Sequence, residues 1–250
     1  MMVSLLSLKS LFCLQGNEMQ KISLGFITCK RQNLFIKTFE SLLKNFKEWD
    51  YISEVILIDD NSDLSDLILM MDMIKRLNKP VIFVHKIEFK SHPKSMNILF
   101  NLVSNDYLFL CEDDWLMQRS DNIIEKAFEI FKKHDDVVQI QYRHNPDIMA
   151  VNQKVLKLKD IQYVKYDYNV QSIDSLGRPA WTGFTLNPSL INVKRLKETI
   201  GLFSEEFLGF EFHYSCRVAG KGYKVCYFDE KYFLHIGKNN DSYRKNGTRR

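Results

Sequence analysis

The sequence predicts an α/β fold in which helices flank a mostly parallel β-sheet, with an antiparallel or loop elaboration in the second half. From Lys21 onward, short and nearly continuous apolar segments alternate with segments whose apolar residues recur at helical spacing. Strands that are apolar along their whole length are buried on both faces, which is typical of parallel sheets covered by helices. After Arg143 the pattern changes to short segments in which apolar and polar residues alternate, and this alternation favours antiparallel strands.

The predicted elements follow one another in a regular order. The strands are ISLGFIT, EVILIDD, PVIFVH, DYLFLCEDDW and VVQIQYR, and the helices between them are NLFIKTFESLLKNF, LSDLILMMDMIKRL, HPKSMNILFNLV and NIIEKAFEIFKKH. The alternating segment VLKLKDIQYVKYDYNV predicts antiparallel strands or a long ordered loop. Turn-forming residues follow in WTGFTLNPSLI, and SEEFLGFEFHYSCRVAGKGY predicts a loop, a helix and a glycine-rich stop.

The composition favours a single globular domain. With 250 residues, of which 45% are hydrophobic, the chain can bury one sizeable core. The net charge of +4 is small and the basic residues are dispersed, so no nucleic-acid partner is expected. We predict an N-terminal extension at residues 1–20, one domain at residues 21–237, and a basic, solvated tail at residues 238–250.

Five cysteines and one apolar segment bear on the compartment. The cysteines are odd in number and include no CxxC pair, so we expect reduced thiols and a cytoplasmic location, with a lumenal location as the alternative. Residues 3–14 are apolar but short and interrupted by Lys9, so neither a transmembrane span nor a signal peptide is expected. A packing helix, a peripheral membrane-surface helix and an extension upstream of a start at Met19 remain open.

Acidic side chains follow two of the predicted strands. Asp59 and Asp60 end the second strand, and Glu112, Asp113 and Asp114 end a later one. Ligands of such sheets bind beyond the carboxyl ends of the strands, so both clusters are expected to face one crevice. Packed carboxylates repel each other unless they are solvated or meet a cation. The pattern therefore predicts a divalent-metal site, or alternatively a solvated turn and a helix N-cap.

These motifs, in this order, resemble those of nucleotide-sugar glycosyltransferases of the GT-A fold, and most closely their large family-two-like group. The resemblance covers residues 21–237 and is carried by a first strand ending in Thr28, by IDDNSD, by CEDDW, and by a late Glu before a helix with Arg217 and GKGY. It implies a GT-A-like, Rossmann-type sheet and a metal-dependent enzyme. The enzyme would move a sugar from a nucleotide donor, expected to be UDP-linked, to a glycan, protein or lipid hydroxyl.

The resemblance also implies where the donor binds. Asp60, with Asp59 beside it, corresponds to the acid that contacts the base or ribose, and Thr28 lies where the family contacts the nucleotide. The Arg-Asn pattern that contacts the diphosphate appears here as KSMNIL, in which Asn97 matches. A methionine replaces the arginine, and Lys94 is expected to supply the missing cation.

The acids of CEDDW correspond to the family's DxD-like metal motif. The resemblance makes Asp114 the direct ligand and gives Glu112 and Asp113 the task of orienting ribose, sugar or metal-bound water. His235 in YFLHIG matches a late histidine that completes the metal shell; a structural role is the alternative. Oxygen ligands suit Mg²⁺ or Mn²⁺, and either ion would neutralise the diphosphate leaving group.

Glu211 falls where the family has its general base. An acceptor hydroxyl must lose its proton as it attacks the anomeric carbon, and in-line attack assisted by one base would invert that centre. The family usually has an acid pair here, whose first member is replaced by Phe210. Glu205 and Glu206 are alternative bases, and a carboxylate favoured by the helix dipole is the alternative role for Glu211.

Other protein classes fit less well. Receiver domains and haloacid-type phosphatases need an acid on the first strand, and GFITCKR has none. A sugar-nucleotide nucleotidyltransferase would have a glycine-rich loop after that strand, which FITCKRQNLF lacks. A non-catalytic sugar- or nucleotide-binding module of the same fold remains an alternative. Trp115 and Trp181 are candidates to stack on a sugar, or ordinary packing residues.

Overall fold

The structure of the protein, a computed structural model, describes residues 19–87, 91–142, 154–166, 181–206 and 209–237. The predicted N-terminal extension up to residue 18, the basic tail and much of the segment between residues 143 and 180 lie outside the described residues. Among the described helices, none has the length and apolar character needed to cross a membrane. Of the five cysteines, the four in the described ranges are free thiols, namely Cys29, Cys111, Cys216 and Cys226.

The strands of the described ranges form one large mixed sheet and a small ribbon. In chain order they are β1 (Ile22–Thr28), β2 (Ile52–Asp60), β3 (Val81–Lys86), β4 (Tyr107–Glu112), β5 (Trp115–Met117), β6 (Val137–Gln141), β7 (Val155–Leu158), β8 (Ile161–Lys165), β9 (Ser189–Asn192), β10 (Lys224–Phe228) and β11 (Phe233–His235). The large sheet has the order β3-β2-β1-β4-β9-β6-β10-β8-β7, and β11 pairs with β5 in the ribbon.

Helices cover both faces of the large sheet. They are α1 (Gln32–Asn45), α2 (Leu64–Lys75), α3 (His92–Leu102), α4 (Ile123–Lys133), α5 (Val193–Thr199) and α6 (Phe210–Gly220), with a short 3-10 helix at Trp49–Tyr51. Residues of α1, α2 and α4 pack in one hydrophobic cluster, and residues of α3, α5 and α6 pack in a second. Neighbouring β1 residues divide between the clusters, Phe26 into the first and Ile27 into the second, as expected for a strand buried on both faces.

The first half of the sheet is parallel, which confirms the predicted fold class. β1 lies between β2 and β4 and is parallel to both, and β3 pairs in parallel with β2. In this register Thr28 is opposite Asp59, and Ile27 is opposite Glu112. The carboxyl ends of three adjacent strands therefore meet at one edge, which is where ligands of such sheets bind.

The second half is elaborated with antiparallel strands, as predicted. β7 and β8 form a hairpin whose turn contains Lys159 in the left-handed region, at φ 54°. β9 is antiparallel to both β4 and β6 and lies between them. The sequence did not predict β9, because SLIN is only four residues long and follows a run of turn-forming residues. The ribbon of β5 and β11 pairs His235 with Trp115. A residue far along the sequence therefore lies next to the acidic turn EDDW.

Candidate active site

Thr28 and Asp113 connect the ends of β1 and β4. The Thr28 hydroxyl donates to Asp113 Oδ2 over 2.7 Å, and both side chains are buried. The turn after β4 is also tied to α1, because Thr38 Oγ1 donates to the Asp113 carbonyl over 2.9 Å and accepts from the Trp115 N–H over 3.0 Å. These hydrogen bonds fix the acidic turn against two neighbouring elements.

Asp59 is a fully buried carboxylate that organises the end of β2. It accepts from the Ser62 N–H over 2.9 Å and from the Ser62 hydroxyl over 2.5 Å, and His85 Nδ1 lies 2.8 Å from its Oδ1. Such bonds are typical of an Asx-type turn. The predicted contact of Asp59 with a nucleoside stays a prediction.

Asp60 connects β2 to the start of α3. It accepts from the Ser91 N–H over 3.0 Å and forms an ion pair with Lys86 Nζ at 3.2 Å. Ser91 is the N-cap of α3, and its hydroxyl accepts from the Lys94 N–H over 3.4 Å. Burial lowers the pKa of Lys86, and the charge of Asp60 acts against that shift. Asp60 thus lies between a cation and a helix N-terminus, and its nucleoside contact stays a prediction.

The residues predicted to contact the diphosphate lie on α3. The amide of Asn97 donates to the Phe203 carbonyl over 3.0 Å and to Glu205 Oε1 over 3.1 Å, and it accepts from the Phe203 N–H over 2.8 Å. It therefore holds the loop that leads toward α6. Lys94 is exposed in the first turn of α3, whereas Met96 is fully buried in the core. The diphosphate contacts of Asn97 and Lys94 stay predictions.

Arg31 is a residue of this cluster whose position sequence reasoning missed. Its Nε donates to Asp113 Oδ2 over 3.0 Å, its Nη2 pairs with Asp113 Oδ1, and its Nη1 donates to Asp114 Oδ2 over 2.9 Å. Burial lowers the pKa of Arg31, but the charges of Asp113 and Asp114 outweigh it and raise that pKa. The only signal in the sequence is a basic residue shortly after the first strand.

Asp113 and Asp114 differ in their surroundings. Burial raises the pKa of Asp113, against the opposing charge of Arg31 and the hydrogen bond from Thr28. Burial acts in the same sense on Asp114, but its hydrogen bond with His235 and the charge of Arg31 hold the pKa of that carboxyl below its usual range. Asp114 is thus the acid of the pair that is more readily ionised.

The ribbon of β5 and β11 encloses Asp114. His235 Nε2 lies 3.2 Å from Asp114 Oδ2, and the His235 ring lies against Trp115 with centroids 4.6 Å apart. The Ile236 N–H donates to the Asp114 carbonyl over 2.9 Å. Gly237 packs so closely that a Cβ there would lie 2.0 Å from Asp114 Oδ2. The predicted pair Asp114 and His235 is therefore brought together by the fold.

The pair fits a divalent ion as two neighbouring ligands. Asp114 Oδ1 is buried and has no hydrogen-bond partner within the described ranges. Adjacent ligands of an octahedral ion with bonds of 2.0–2.1 Å lie about 3 Å apart, and His235 Nε2 lies 3.2 Å from the other oxygen of that carboxylate, Oδ2. The described part of the chain contains no group of three or more His, Cys, Asp or Glu residues suited to a metal. Phosphate oxygens and water would have to supply the other ligands, and both assignments stay predictions.

Glu112 pairs with His92, and both residues act electrostatically on Glu211. His92 Nε2 is 3.1 Å from Glu112 Oε1, and the His92 ring meets the edge of Phe210, with centroids 5.3 Å apart. Glu211 Oε1 accepts from the Leu186 N–H over 2.8 Å. Burial raises the pKa of Glu211, the Leu186 hydrogen bond opposes this, and the charge of Glu112 adds to it. Glu211 is thus a partly buried carboxylate with raised proton affinity near the acidic edge. No pattern in the sequence indicated a role for His92.

The alternative bases and the two tryptophans occupy other positions. Glu205 and Glu206 are exposed, and Glu205 is held by Asn97. Trp181 Nε1 donates to the Phe184 carbonyl over 2.9 Å, and Trp115 is buried. Both tryptophans thus make packing contacts, and the stacking of either one on a sugar stays a prediction.

Comparisons with known proteins agree with this architecture. The profile of the family described as Glycosyl transferase family 2 matches residues 23–179. S. aureus TarS 1-349 has the same fold, with a TM-score of 0.59 and 15% identity over 87% of this chain and 61% of that one. TarS 1-349 has also been solved in complex with UDP and with UDP-GlcNAc. No curated protein matches the sequence.

Two further structures of similar fold contain a nucleotide or nucleotide-sugar together with Mn²⁺. Mannosyltransferase PcManGT from Pyrobaculum calidifontis, in complex with GDP-Man and Mn²⁺, has a TM-score of 0.55 and 15% identity over 88% of this chain and 59% of that one. GalNAc-T7 with UDP, GalNAc and Mn²⁺ has a TM-score of 0.57 and 13% identity over 84% of this chain and 43% of that one. At such identities the likeness establishes the shared fold. The chain spans about three fifths of the length of the TarS fragment.

Proposed function

The chain belongs to glycosyl transferase family 2, and from this membership we propose that it transfers a sugar from a nucleotide-sugar donor, UDP-linked, to a hydroxyl acceptor. One observation carries the proposal. Polar and acidic side chains at the ends of β1, β2 and β4 lie at a single edge of the sheet, and the hydrogen bond between Thr28 and Asp113 joins the ends of β1 and β4. In parallel sheets that edge is the place where ligands bind.

The donor is proposed to lie across this edge. Asp60, with Asp59 beside it, would hold the nucleoside, Thr28 would contact the nucleotide, and Lys94 and Asn97 would lie near the diphosphate. UDP is favoured over GDP because TarS and GalNAc-T7, of similar fold, bind UDP, although PcManGT binds GDP-Man. A metal ion held by Asp114 and His235 would neutralise negative charge on the leaving diphosphate.

Glu211 is proposed as the general base. The acceptor oxygen would attack the anomeric carbon as the bond from that carbon to the donor phosphate oxygen breaks, and the hydroxyl proton would pass to the Glu211 carboxylate. The nucleoside diphosphate leaves with the electron pair of the broken bond, and the anomeric centre is inverted. Because burial raises the pKa of Glu211, activity should rise with pH through a value above that of an ordinary glutamate.

A thermal-shift screen of UDP-, GDP- and TDP-sugars, each with Mn²⁺ and with chelator, tests the proposed donor site. A ligand present at about 100 times its Kd stabilises the folded state by about 2.7 kcal/mol. For a chain of this length that free energy corresponds to a rise in Tm of about 5–10 °C. We expect such a rise with UDP-sugars and Mn²⁺. A folded protein that responds to none of the donors would contradict the proposal.

Replacing Glu211 by Gln tests the base. Glu211→Gln removes the proton acceptor while keeping the size of the side chain, so we expect kcat to fall by about 100-fold or more with donor affinity within about threefold of the wild type. The matched control is Glu206→Gln, an exposed neighbour in the chain, which should retain activity. Normal turnover by Glu211→Gln would exclude it as the base.

A further inference from the structure

Arg31 occupies an unusual position beside the acidic turn. Its side chain is only 14% exposed, and each of its guanidinium nitrogens contacts a carboxylate oxygen of Asp113 or Asp114. A guanidinium stays charged at any pH at which proteins fold, and its planar fork matches a carboxylate. A permanent positive charge is therefore held within the group of acids that would receive a metal ion.

The backbone of Arg31 is fixed as firmly as its side chain. Arg31 is the N-cap residue of α1, and its carbonyl accepts from the N–H groups of Leu34 and Phe35 over 2.8 and 3.0 Å. The preceding Lys30 has φ 53°, in the left-handed region, and its N–H donates to Ser62 Oγ over 2.9 Å. The Arg31 side chain is thus anchored both at its backbone and at its guanidinium, so its charge remains beside the acids.

This charge changes the electrostatic balance of the site. Glu112, Asp113 and Asp114 carry three negative charges when ionised, and Arg31 reduces the sum to −2. An ion bound at the unpartnered Asp114 Oδ1 would share its carboxylate with the guanidinium that donates to Oδ2. A divalent ion on one oxygen of the Asp114 carboxylate and the Arg31 guanidinium on the other would repel each other strongly, because the site is partly buried.

We propose that Arg31 is a resident counter-cation that makes divalent-ion binding at Asp114 depend on the diphosphate of the donor. The inference rests on the proposed function. An ion that arrives alone meets acids already compensated by Arg31, so it binds weakly. A nucleoside diphosphate brings two or more negative charges, which compensate both the ion and Arg31. Ion and nucleotide then strengthen each other's binding by the same factor.

The test measures Mn²⁺ affinity of the full chain without nucleotide at pH 8, from the electron spin resonance signal of free Mn²⁺. Arg31→Met removes the charge and should tighten Mn²⁺ binding at least tenfold. Arg31→Lys keeps the charge and should stay within threefold of the wild type. The control is Arg195→Met, because Arg195 lies near Asp106 and Tyr107 at the opposite end of β4. It should change the affinity less than twofold.

A second variant covers the case in which Arg31→Met does not fold, since an unpaired buried Asp113 is strongly destabilising. Arg31→Met combined with Asp113→Asn removes both partners and returns the sum of charges to −2. Its Mn²⁺ affinity should lie within threefold of the wild type. An affinity tightened tenfold in this double variant would contradict the charge account.

The remaining outcomes separate this inference from the proposed function. A folded Arg31→Met that binds Mn²⁺ no more tightly than the wild type overturns the counter-cation role, as does an Arg31→Lys that tightens binding as much as Arg31→Met. In either case the proposed function stands if wild-type protein binds Mn²⁺ with saturating UDP. A wild type that binds no Mn²⁺ with UDP or GDP removes the metal site, and the inference falls with it.

Discussion

At the scale of single residues, Asp114 is held by contacts from several elements. Arg31 and His235 hydrogen-bond to its carboxylate, Ile236 hydrogen-bonds to its carbonyl, and Gly237 packs against its side chain. This enclosure explains why the chain has a glycine at position 237. Any side chain there would need the space that the carboxylate occupies.

Gly237→Ala should therefore displace Asp114. The added Cβ would lie 2.0 Å from Asp114 Oδ2 and 2.8 Å from its Cγ, far inside van der Waals contact. We expect kcat/KM with Mn²⁺ to fall at least tenfold because the proposed metal ligand moves. Gly209→Ala is the matched control, because a Cβ at that position meets nothing within 4 Å of it. Equal activity of the two variants would show that catalysis does not require Asp114 to be held in this position.

The sequence predicted the acidic residues of the site, with Thr28 and His235 beside them, but not the partners Arg31 and His92. Asp59, Asp60 and the EDDW acids were found because strand ends are visible in the hydrophobic pattern, and strand ends of a parallel sheet meet. Arg31 and Asp113 are 82 residues apart, and no periodicity links them. Their pairing depends on side-chain directions at the edge, which only the folded structure provides.

At the scale of elements, the start of α4 depends on a distant carboxylate. Glu48 Oε2 accepts from the Ile124 N–H over 2.8 Å, and Oε1 accepts from the Glu125 N–H over 2.9 Å. Glu48 is 8% exposed and belongs to the segment between α1 and β2. It satisfies N–H groups that a helix cannot pair internally.

Glu48→Ala should lower the free energy of unfolding by about 1–3 kcal/mol, because one buried and one partly buried N–H group lose their acceptor. Urea denaturation at pH 4.5, where the titration of Glu48 has removed little of the wild-type stability, measures this loss. Glu40→Ala, at an exposed position of α1, serves as the control and should change stability by less than about 0.5 kcal/mol. A loss no larger than that of the control would mean that water replaces Glu48 as acceptor.

The same residue gives stability a pH dependence. Burial raises the pKa of Glu48 to about 7, while the N–H groups of Ile124 and Glu125 act against the shift. The unfolded chain has an ordinary glutamate with a pKa of about 4.3. Relative to Glu48→Gln, which cannot titrate, the wild type should lose stability as pH rises from about 4.3 through about 7. Parallel stability curves for the two proteins would contradict the raised pKa.

Elements were predicted most reliably where their pattern was long. The alternating helices and strands of the first half follow from repeated periodicity, and the hairpin of β7 and β8 follows from alternation. β9 was missed because its four residues follow turn-forming ones, and its place between β4 and β6 is set by tertiary packing. The direction of a short inserted strand does not follow from its composition.

At the scale of the whole molecule, β9 joins the two halves of the sheet. It pairs with β4 of the parallel half and with β6 of the elaborated half. A continuous sheet with helices packed on both faces should unfold as one cooperative unit. Urea unfolding followed by far-UV circular dichroism and by tryptophan fluorescence should therefore give coincident transitions.

Leu190→Ala tests this coupling, because Leu190 is fully buried in β9. We expect a loss of about 2–5 kcal/mol that both probes report equally. Leu64→Ala, at a side chain that is 73% exposed, should leave both transitions almost unchanged. Transitions that separate in Leu190→Ala would show that the halves unfold independently.

We propose that the edge formed by β1, β2 and β4 binds a nucleotide-sugar whose cleavage depends on Asp114. The most direct measurement is nucleotide release from UDP- and GDP-sugars by the wild type and by Asp114→Asn, each with Mn²⁺ and with chelator. We predict release by the wild type with Mn²⁺, and a loss of at least about 100-fold with chelator and in Asp114→Asn. Normal release by Asp114→Asn, or none by folded wild type with any donor, would contradict the account.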